Sequence, residues 1–336
     1  MNYLQSANGS KSVNAFTMHG NATDGSNCTI SEDFLIVLLP TAYSLIFLTG
    51  LTSNISALFI FLFIRGKKNS IQVYLINMAI ADLLLIICLP FRIAYHANQN
   101  VWMLGKSFCG LVGNIFYMNM YISITLLGLI SVDRYLKITR PLQHFKLQGV
   151  TGSSIICGVI WVISILVVIP MVVNKKKDNS LDNSKCFHFR YRKNFRTYIN
   201  LIIVFGFWIV FFFLVLSYGK IARKLCKLGK ERVGFSNNKI HRRAARKTFI
   251  VLFIFSVCFV PYHIFRFFYI AAQLQETSCY WKNTVNKINE ISLLFSAFNS
   301  CLDPIMYFLL SKRVRRTVLS LISERFQRDM TRSEST

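Results

Sequence analysis

Asp133, Arg134 and Tyr135 directly follow a charge-free apolar run over residues 107–132. A carboxylate and a guanidinium at adjacent positions form ion pairs and hydrogen bonds, which hold structure and perform no bond-breaking chemistry by themselves. An ion pair at the boundary of a membrane span can bias a helix bundle between two conformations. The pattern therefore favours a conformational switch at this position, and signalling rather than catalysis.

A second set of polar groups lies inside apolar runs, where charge is costly and normally faces the interior of a bundle. Asp82 and Asp303 are the two carboxylates that the sequence places deepest in such runs. Helical spacing brings further oxygen and amide groups toward them, namely Asn54, Asn119, Ser123 and Asn299. Such an oxygen-rich pocket suits a small hard cation such as sodium. The alternative is a hydrogen-bond network without an ion, and no other metal is expected.

A third set of polar residues has the chemistry of anion binding. His263 and Arg266 follow Pro261 on neighbouring helical turns, so both side chains could receive a phosphate group. The alternatives are a buried, hydrogen-bonded histidine and an arginine whose charged end extends to the lipid interface. A basic stretch between the fourth and fifth apolar runs, which includes Arg190, would attract an anionic ligand to the same side.

Seven apolar segments must position these groups, because a helix needs roughly 20 apolar residues to cross the hydrocarbon core of a bilayer. The predicted spans are residues 34–64, 71–95, 107–132, 147–173, 197–218, 248–265 and 291–310, and the sixth is expected to continue through Arg266. The inner connection over residues 219–247 is expected to extend the fifth and sixth spans as helices with a flexible join. We therefore predict an all-α membrane protein, a seven-transmembrane helix bundle over residues 34–310. Residues 1–33 are the predicted extracellular tail, and residues 311–336 are a predicted cytoplasmic amphipathic helix and tail.

Two independent signals orient this bundle. Glycosylation sequons at Asn8, Asn21 and Asn27 indicate an extracellular N-terminus. With that orientation most of the 39 Lys and Arg residues lie on the inner side, where basic residues accumulate. The net charge of +25 is then explained by topology and by contact with anionic membrane lipids, without a nucleic-acid polymer as partner. The expected location is the plasma membrane, crossed several times.

The nine cysteines divide among the predicted spans, the outer segments and, for Cys226 alone, the cytosolic side. The four outer cysteines are Cys28, Cys109, Cys186 and Cys279. They lie where an oxidising environment allows disulfides, and four cysteines permit three pairings.

Together these residues resemble the rhodopsin-like (class A) G-protein-coupled receptors over nearly the whole chain. The resemblance is carried by Gly50 with Asn54, Asp82 with Leu83, Cys109, Asp133 to Tyr135, Trp161, Tyr218, residues 255–262 and residues 303–307. It implies a heterotrimeric G protein of the inhibitory type as partner, no cofactor, and disulfides that join Cys109 to Cys186 and Cys28 to Cys279. The implied switch residues are Asp133, Arg134, Tyr135, Tyr218, Phe259, Pro261, Asp303, Pro304 and Tyr307.

The finer pattern is similar to the purinoceptor (nucleotide-receptor) cluster, through residues 116–121, residues 258–263 with Arg266, and Asp303 where most members have Asn. Residues 77–92 and 289–299 look most similar to receptors for lysophosphatidylserine. Nucleotide-binding members carry a second cation where this chain has Asn289 and Glu290, and a carboxylate suits the ammonium group of phosphoserine. The implied ligand is therefore an anionic lysophospholipid, with a nucleotide or nucleotide sugar as the alternative. The implied ligand-binding residues are Tyr117, Tyr121, Arg190, His263, Arg266, Tyr269, Asn289 and Glu290.

The chain departs from the general receptor pattern at three positions. Val210 replaces a common proline, Phe259 a common tryptophan, and His241 an acid that often holds the switch arginine. Arg134 is therefore expected to be restrained chiefly by Asp133.

Three other functional classes fit the sequence poorly. A retinal-based pump or photoreceptor needs a lysine in the last span for a Schiff base, and residues 291–310 contain none. A membrane transporter, the main alternative from another class, would favour internal repeats, and none is visible. No catalytic triad, metal-ligand cluster or phosphate loop is recognisable, so the chain is not expected to be an enzyme.

Overall fold

The computed structural model describes residues 33–63, 69–139, 149–173, 186–187, 195–231, 235–275, 277–311, 314–321 and 323–324. Within them the backbone forms seven long α-helices, α1 to α7, and a short helix, α8, over residues 314–321; no strand occurs in these ranges. The long helices are Asp33–Phe63, Ser70–Ala97, Gly105–Thr139, Val150–Val173, Phe195–Glu231, Phe235–Leu274 and Cys279–Leu310. Each is long and apolar enough to cross a membrane, which confirms the predicted seven-helix bundle.

The largest difference from the predicted spans is the start of α7. This helix begins at Cys279, about three turns before the predicted start at residue 291. Ser278 caps it, because the Ser278 hydroxyl accepts a hydrogen bond of 3.4 Å from Trp281 N. The additional turns are too polar to be recognised from composition as part of a membrane span. Asn286 and Glu290 nevertheless face the interior and are buried. The predicted boundary was wrong because a polar helix face packed against other helices needs no apolar composition.

Helices α5 and α6 also continue beyond the predicted spans. Helix α5 ends at Glu231 and α6 begins at Phe235, which confirms that the fifth and sixth spans extend as helices into residues 219–247. At its other end α6 passes through Arg266 to Leu274, as predicted. Apolar composition marks only the part of each helix that lipid surrounds, so the predicted spans are shorter than the helices.

Helix α6 contains Pro261, which lacks the backbone N–H that would bond the carbonyl four residues earlier. Two carbonyls in the turn before the proline accept hydrogen bonds from side chains. His263 Nδ1 donates to Phe259 O at 2.8 Å, and Ser296 Oγ of α7 donates to Cys258 O at 3.2 Å. The proline is therefore braced both within its own helix and from α7.

Helix α3 lies in the middle of the bundle and packs against α2, α4 and α5, while α1 packs on α2 and α7, and α6 packs between α5 and α7. Lipid is as apolar as the buried side chains, so close packing and hydrogen bonds between helices hold the bundle together. One such bond joins α4 to α2, from Trp161 Nε1 to Asn77 Oδ1 at 3.0 Å. Between α5 and α6 the rings of Phe207 and Phe255 are stacked, with centroids 5.9 Å apart.

A disulfide closes one end of the bundle. It joins Cys109 at the start of α3 to Cys186, with Cα atoms 5.9 Å apart, and this pairing confirms the prediction. The next residue, Phe187, has φ of +56°, and its ring packs against Tyr95 and Trp102. We call this the disulfide end of the bundle and the opposite end the Arg134 end.

Several predicted features fall outside the described residues. Cys279 is disulfide-bonded, but Cys28, its predicted partner, is not among the residues described. The same is true of the sequons Asn8, Asn21 and Asn27, of Arg190, and of most of the two predicted tails.

Candidate functional site

A chain of buried polar side chains crosses the disulfide end of the bundle from α2 through α7 to α6. Arg92 Nη2 donates to Glu290 Oε2 at 3.3 Å, in an ion pair whose side chains are 4% and 6% exposed. Asn289 Nδ2 donates to Glu290 Oε1 at 3.4 Å. Arg266 Nη1 then donates to Asn289 Oδ1 at 3.1 Å. We call these four residues the polar chain.

Local structure explains why the four side chains meet. Arg92 follows Pro90 near the end of α2, and Arg266 lies beyond Pro261 in α6. Asn289 and Glu290 are adjacent in α7, so one side chain faces α6 while the other faces α2. This arrangement depends on the early start of α7, which places both residues in a regular helix.

Aromatic rings surround each guanidinium of the polar chain. The Arg92 guanidinium carbon lies 4.5 Å from the Phe116 ring centroid and 4.6 Å from that of Phe187. The Arg266 guanidinium carbon lies 4.7 Å from the Tyr269 centroid, and the rings of Tyr117 and Tyr262 are 5.8 and 5.7 Å away. Each such contact contributes about 0.5–2 kcal/mol, most when it is desolvated. The rings therefore help to hold two arginines at a depth where lone charges are costly.

His263 lies deeper than the polar chain and is fully buried. Its ring stacks on Phe207 with centroids 3.5 Å apart, and Tyr121 packs edge-on at 5.9 Å. Since Nδ1 donates to Phe259 O, the free ring nitrogen is Nε2, which has no hydrogen-bond partner in the described part of the chain. His263 therefore has the environment of a packed, hydrogen-bonded core histidine, the alternative that the sequence left open.

A second polar cluster, the middle cluster, lies in the middle of the bundle and contains Asn54, Asp82, Asn119, Asn299, Asp303 and Tyr307. Asn119 Nδ2 donates to Asp82 Oδ1 at 3.1 Å, and the Tyr307 hydroxyl donates to Asp82 Oδ2 at 3.3 Å and to Asn54 Oδ1 at 3.2 Å. Asn299 Nδ2 donates to Asp303 Oδ2 at 2.9 Å. Within this cluster Asn299 Oδ1 and Asp303 Oδ1 have no partner among the described residues. Ser123 Oγ, one helical turn from Asn119, is also buried without a partner in the described part of the chain. An oxygen-rich cluster with unpaired acceptors fits a small cation.

At the Arg134 end, Asp133 is oriented toward α2, because its Oδ1 accepts a hydrogen bond of 3.1 Å from Ser70 Oγ. Arg134 is near enough to Asp133 and to the buried Tyr218 of α5 to interact electrostatically with both. The Tyr135 ring lies 5.9 Å from Lys220 Nζ. The predicted switch residues of α3 and α5 thus meet at one end of the bundle.

Comparison with known proteins identifies the family. Residues 53–307 match the family model described as 7 transmembrane receptor (rhodopsin family). The chain belongs to the rhodopsin family of receptors. It is 49% identical over 312 residues to "Probable G-protein coupled receptor 34" of Mus musculus, an alignment that covers 92% of this chain and 83% of the mouse protein.

Two further relatives place the receptor within the family. The Pan troglodytes protein of the same name is 50% identical over 311 residues, covering 92% of the receptor and 82% of that protein. A protein of Bos taurus named as purinoceptor 14 is 32% identical over 286 residues, which is 84% of each chain. These findings confirm the predicted purinoceptor cluster. The protein is a multi-pass membrane receptor for a small molecule, coupled to a G protein, and not an enzyme.

The receptor's fold brings together most of the residues that the sequence selected for ligand binding. Arg266, Asn289 and Glu290 are hydrogen-bonded, and Tyr117 and Tyr269 flank Arg266. Tyr121 and His263 lie one layer deeper, in contact with each other. Arg190 cannot be placed, because it lies outside the described residues.

Arg92 is the residue of the receptor's polar chain that sequence reasoning missed. The available signal was a charged residue inside the predicted second span, which by default indicates a functional position. Glu290 was assigned to ligand binding, but its burial as a third deep carboxylate was not expected, because span seven was predicted to begin after it. The contact of Phe187 with Arg92 could not be predicted from the sequence, because no local pattern indicates which helix a loop residue will contact.

Proposed function

We propose that this receptor binds an anionic lysophospholipid, lysophosphatidylserine, and signals through inhibitory-type heterotrimeric G proteins at the plasma membrane. Its disulfide end would be extracellular, together with an N-terminus glycosylated at Asn8, Asn21 and Asn27. The observation that carries the proposal is the hydrogen-bonded sequence of Arg266, Asn289 and Glu290, which places a cation and an anion on either side of a neutral amide.

The opposite charges of Arg266 and Glu290 favour a zwitterionic headgroup over a polyphosphate as ligand. Arg266 is suited to receive one phosphate group, assisted by Arg190 and the basic stretch around it. Glu290 would repel additional phosphates but attract an ammonium group. Phosphoserine carries an ammonium group two carbons from its phosphate ester oxygen, whereas nucleotides carry none.

A nucleotide or nucleotide sugar is the second candidate ligand. It is supported by the 32% identity with the Bos taurus protein that is named as a purinoceptor. The buried carboxylate of Glu290 is the feature that argues against it.

A ligand panel separates these candidates. We expect lysophosphatidylserine to activate an inhibitory G protein through the parent receptor, while ADP and UDP-glucose do not. Arg266→Gln should raise the half-maximal lysophosphatidylserine concentration about 100-fold, because hydrogen bonds to charged groups contribute about 1.5–3 kcal/mol each. The measurement is cyclic AMP inhibition in cells matched for surface expression.

Lys287→Gln is the matched control for that panel, because it removes a positive charge from the same end of α7 without altering the polar chain. A response to nucleotides alone would contradict the lysophospholipid proposal. An equal loss of lysophosphatidylserine potency in Arg266→Gln and Lys287→Gln would mean that Arg266 contributes only its positive charge and no direct contact with the ligand.

We also propose that the middle cluster binds sodium in the inactive receptor, through Asp82, Asn119, Ser123, Asn299 and Asp303. Two neighbouring carboxylates in an apolar interior repel each other unless a cation or a proton lies with them. Replacing choline chloride by sodium chloride should therefore raise the half-maximal agonist concentration at least about fivefold, a typical coupling between two sites. Asp82→Asn should abolish that difference in an agonist titration at constant ionic strength. A sodium effect that persists in Asp82→Asn would exclude this site.

Activation is proposed as a population shift between closed and open bundles, set by the differential affinity of the agonist. Helix α6 would swing about Pro261, next to Phe259. In α7, Asp303 and Pro304 would allow the Tyr307 side chain to move from Asp82 toward Tyr218. Arg134 would then leave Asp133 and meet the G protein, beside Tyr135. A disulfide between Cys28 and Cys279 would tether the N-terminal tail to α7 throughout.

A further inference from the structure

Two buried donors lie at the disulfide end, on residues of α1 and α2 that contact each other. They are the Tyr43 hydroxyl and the Arg92 Nε–H group, and neither has a hydrogen-bond partner among the described residues. Tyr43 is 0% exposed and Arg92 is 3% exposed, and the Arg92 guanidinium carbon lies 5.3 Å from the Tyr43 ring centroid. Buried donors are nearly always hydrogen-bonded. No described side chain accepts a hydrogen bond from either donor, although Nε2 of the neighbouring His96 is also buried without a partner. Both donors are therefore available to an added acceptor.

The surroundings of both donors are buried and largely aromatic. The His96 ring stacks on Tyr43 with centroids 6.3 Å apart, and His96 Nδ1 donates to Asn100 Oδ1 at 2.8 Å. Phe116 and Phe187 cover the Arg92 guanidinium from two sides. In such a low-dielectric environment a hydrogen bond to an anion is stronger than in water.

The order of charges along the polar chain indicates which anion belongs there. Arg266 is positive, Glu290 is negative and Arg92 is positive, so the chain alternates in sign and carries one net positive charge. The phosphoserine headgroup of lysophosphatidylserine has a negative phosphate, a positive ammonium and a negative carboxylate, with one net negative charge. The two sequences of charge are complementary, and the carboxylate is the group left for Arg92 and Tyr43.

We propose that Tyr43 and Arg92 form a subsite for the carboxylate of a phosphoserine headgroup, while Arg266 takes the phosphate and Glu290 the ammonium group. This inference rests on the proposed function. The ligand ammonium group takes over part of the ion pair that Glu290 makes with Arg92. Guanidinium N–H groups of Arg92 then become available to the ligand carboxylate. The subsite distinguishes phosphoserine from phosphoethanolamine, which has the same phosphate and ammonium groups but no carboxylate.

Tyr43→Phe tests the subsite, because it removes one hydroxyl and keeps the ring that stacks on His96. In competition binding to the full receptor in membranes, the variant should bind lysophosphatidylserine about tenfold more weakly than the parent does. Its affinity for lysophosphatidylethanolamine of the same acyl chain should be unchanged. Tyr74→Phe, which removes the hydroxyl of a buried tyrosine near the start of α2, at the Arg134 end, should change neither affinity.

A second variant, Arg92→Gln combined with Glu290→Gln, removes both charges of the ion pair together. It should bind the serine and ethanolamine lipids with nearly equal affinity. Equal weakening of both lipids by Tyr43→Phe, or no weakening of the serine lipid, overturns the subsite and leaves the proposed function standing. Absence of lysophosphatidylserine binding to the parent receptor overturns the proposed function itself, and the subsite with it.

Discussion

Arg92→Gln should destabilise the receptor by about 3–5 kcal/mol, because removing one partner leaves the other charge buried without its counter-ion. Arg92 and Glu290 are almost fully buried, lie 198 residues apart in sequence and belong to different helices. Loss of the guanidinium also removes its contacts with Phe116 and Phe187. The measurement is the midpoint of thermal unfolding of purified receptor in detergent, together with surface expression in cells.

The double variant with Arg92→Gln and Glu290→Gln is the decisive control for this prediction. It removes the uncompensated charge, so most of the lost stability should return, because buried ion pairs contribute little net stability compared with neutral groups of similar shape. Lys287→Gln should leave the midpoint unchanged. If the double variant is as unstable as Arg92→Gln, the cost comes from lost packing around Arg92 and not from the charge of Glu290.

Arg134→Ala should reduce agonist-stimulated nucleotide exchange to the basal rate while leaving ligand affinity nearly unchanged. The arginine lies at the opposite end of the bundle from the polar chain, beside Tyr218 and Asp133. Its guanidinium is a fork of five donors, which suits the carbonyl groups at the end of an inserted helix of the G protein. Alanine offers no donor, so the open bundle would form without gaining this contact.

Arg134→Lys is the matched variant, because it keeps the positive charge and loses the fork. It should retain a small fraction of the stimulated exchange. A loss of ligand affinity in Arg134→Ala as large as the loss of exchange would instead indicate a misfolded receptor.

The middle cluster could be predicted from sequence because a strong constraint applies to it. A carboxylate inside an apolar span must face the interior, and helical spacing then selects its neighbours. Asn119 and Tyr307 do contact Asp82, and Asn299 contacts Asp303. The seven-helix architecture was predictable for a similar reason, since only a continuous helix satisfies its own backbone in lipid.

The polar chain could be predicted only in part. Arg266, Asn289 and Glu290 were selected through family resemblance, but their hydrogen bonds depend on an α7 that starts at Cys279, and polar composition concealed that start. The pairing of Arg92 with Glu290 joins two distant helices, and a single sequence carries no signal for such a contact. The strained φ of Phe187 is likewise set by tertiary packing.

The most direct test of this account measures nucleotide exchange by a purified inhibitory-type G protein with the parent receptor in lipid nanodiscs. The account predicts that lysophosphatidylserine accelerates exchange through the parent, that ADP does not, and that Arg134→Ala binds the lipid without accelerating exchange. Acceleration by Arg134→Ala equal to that of the parent, or binding of the lipid to the parent with no acceleration, would contradict it.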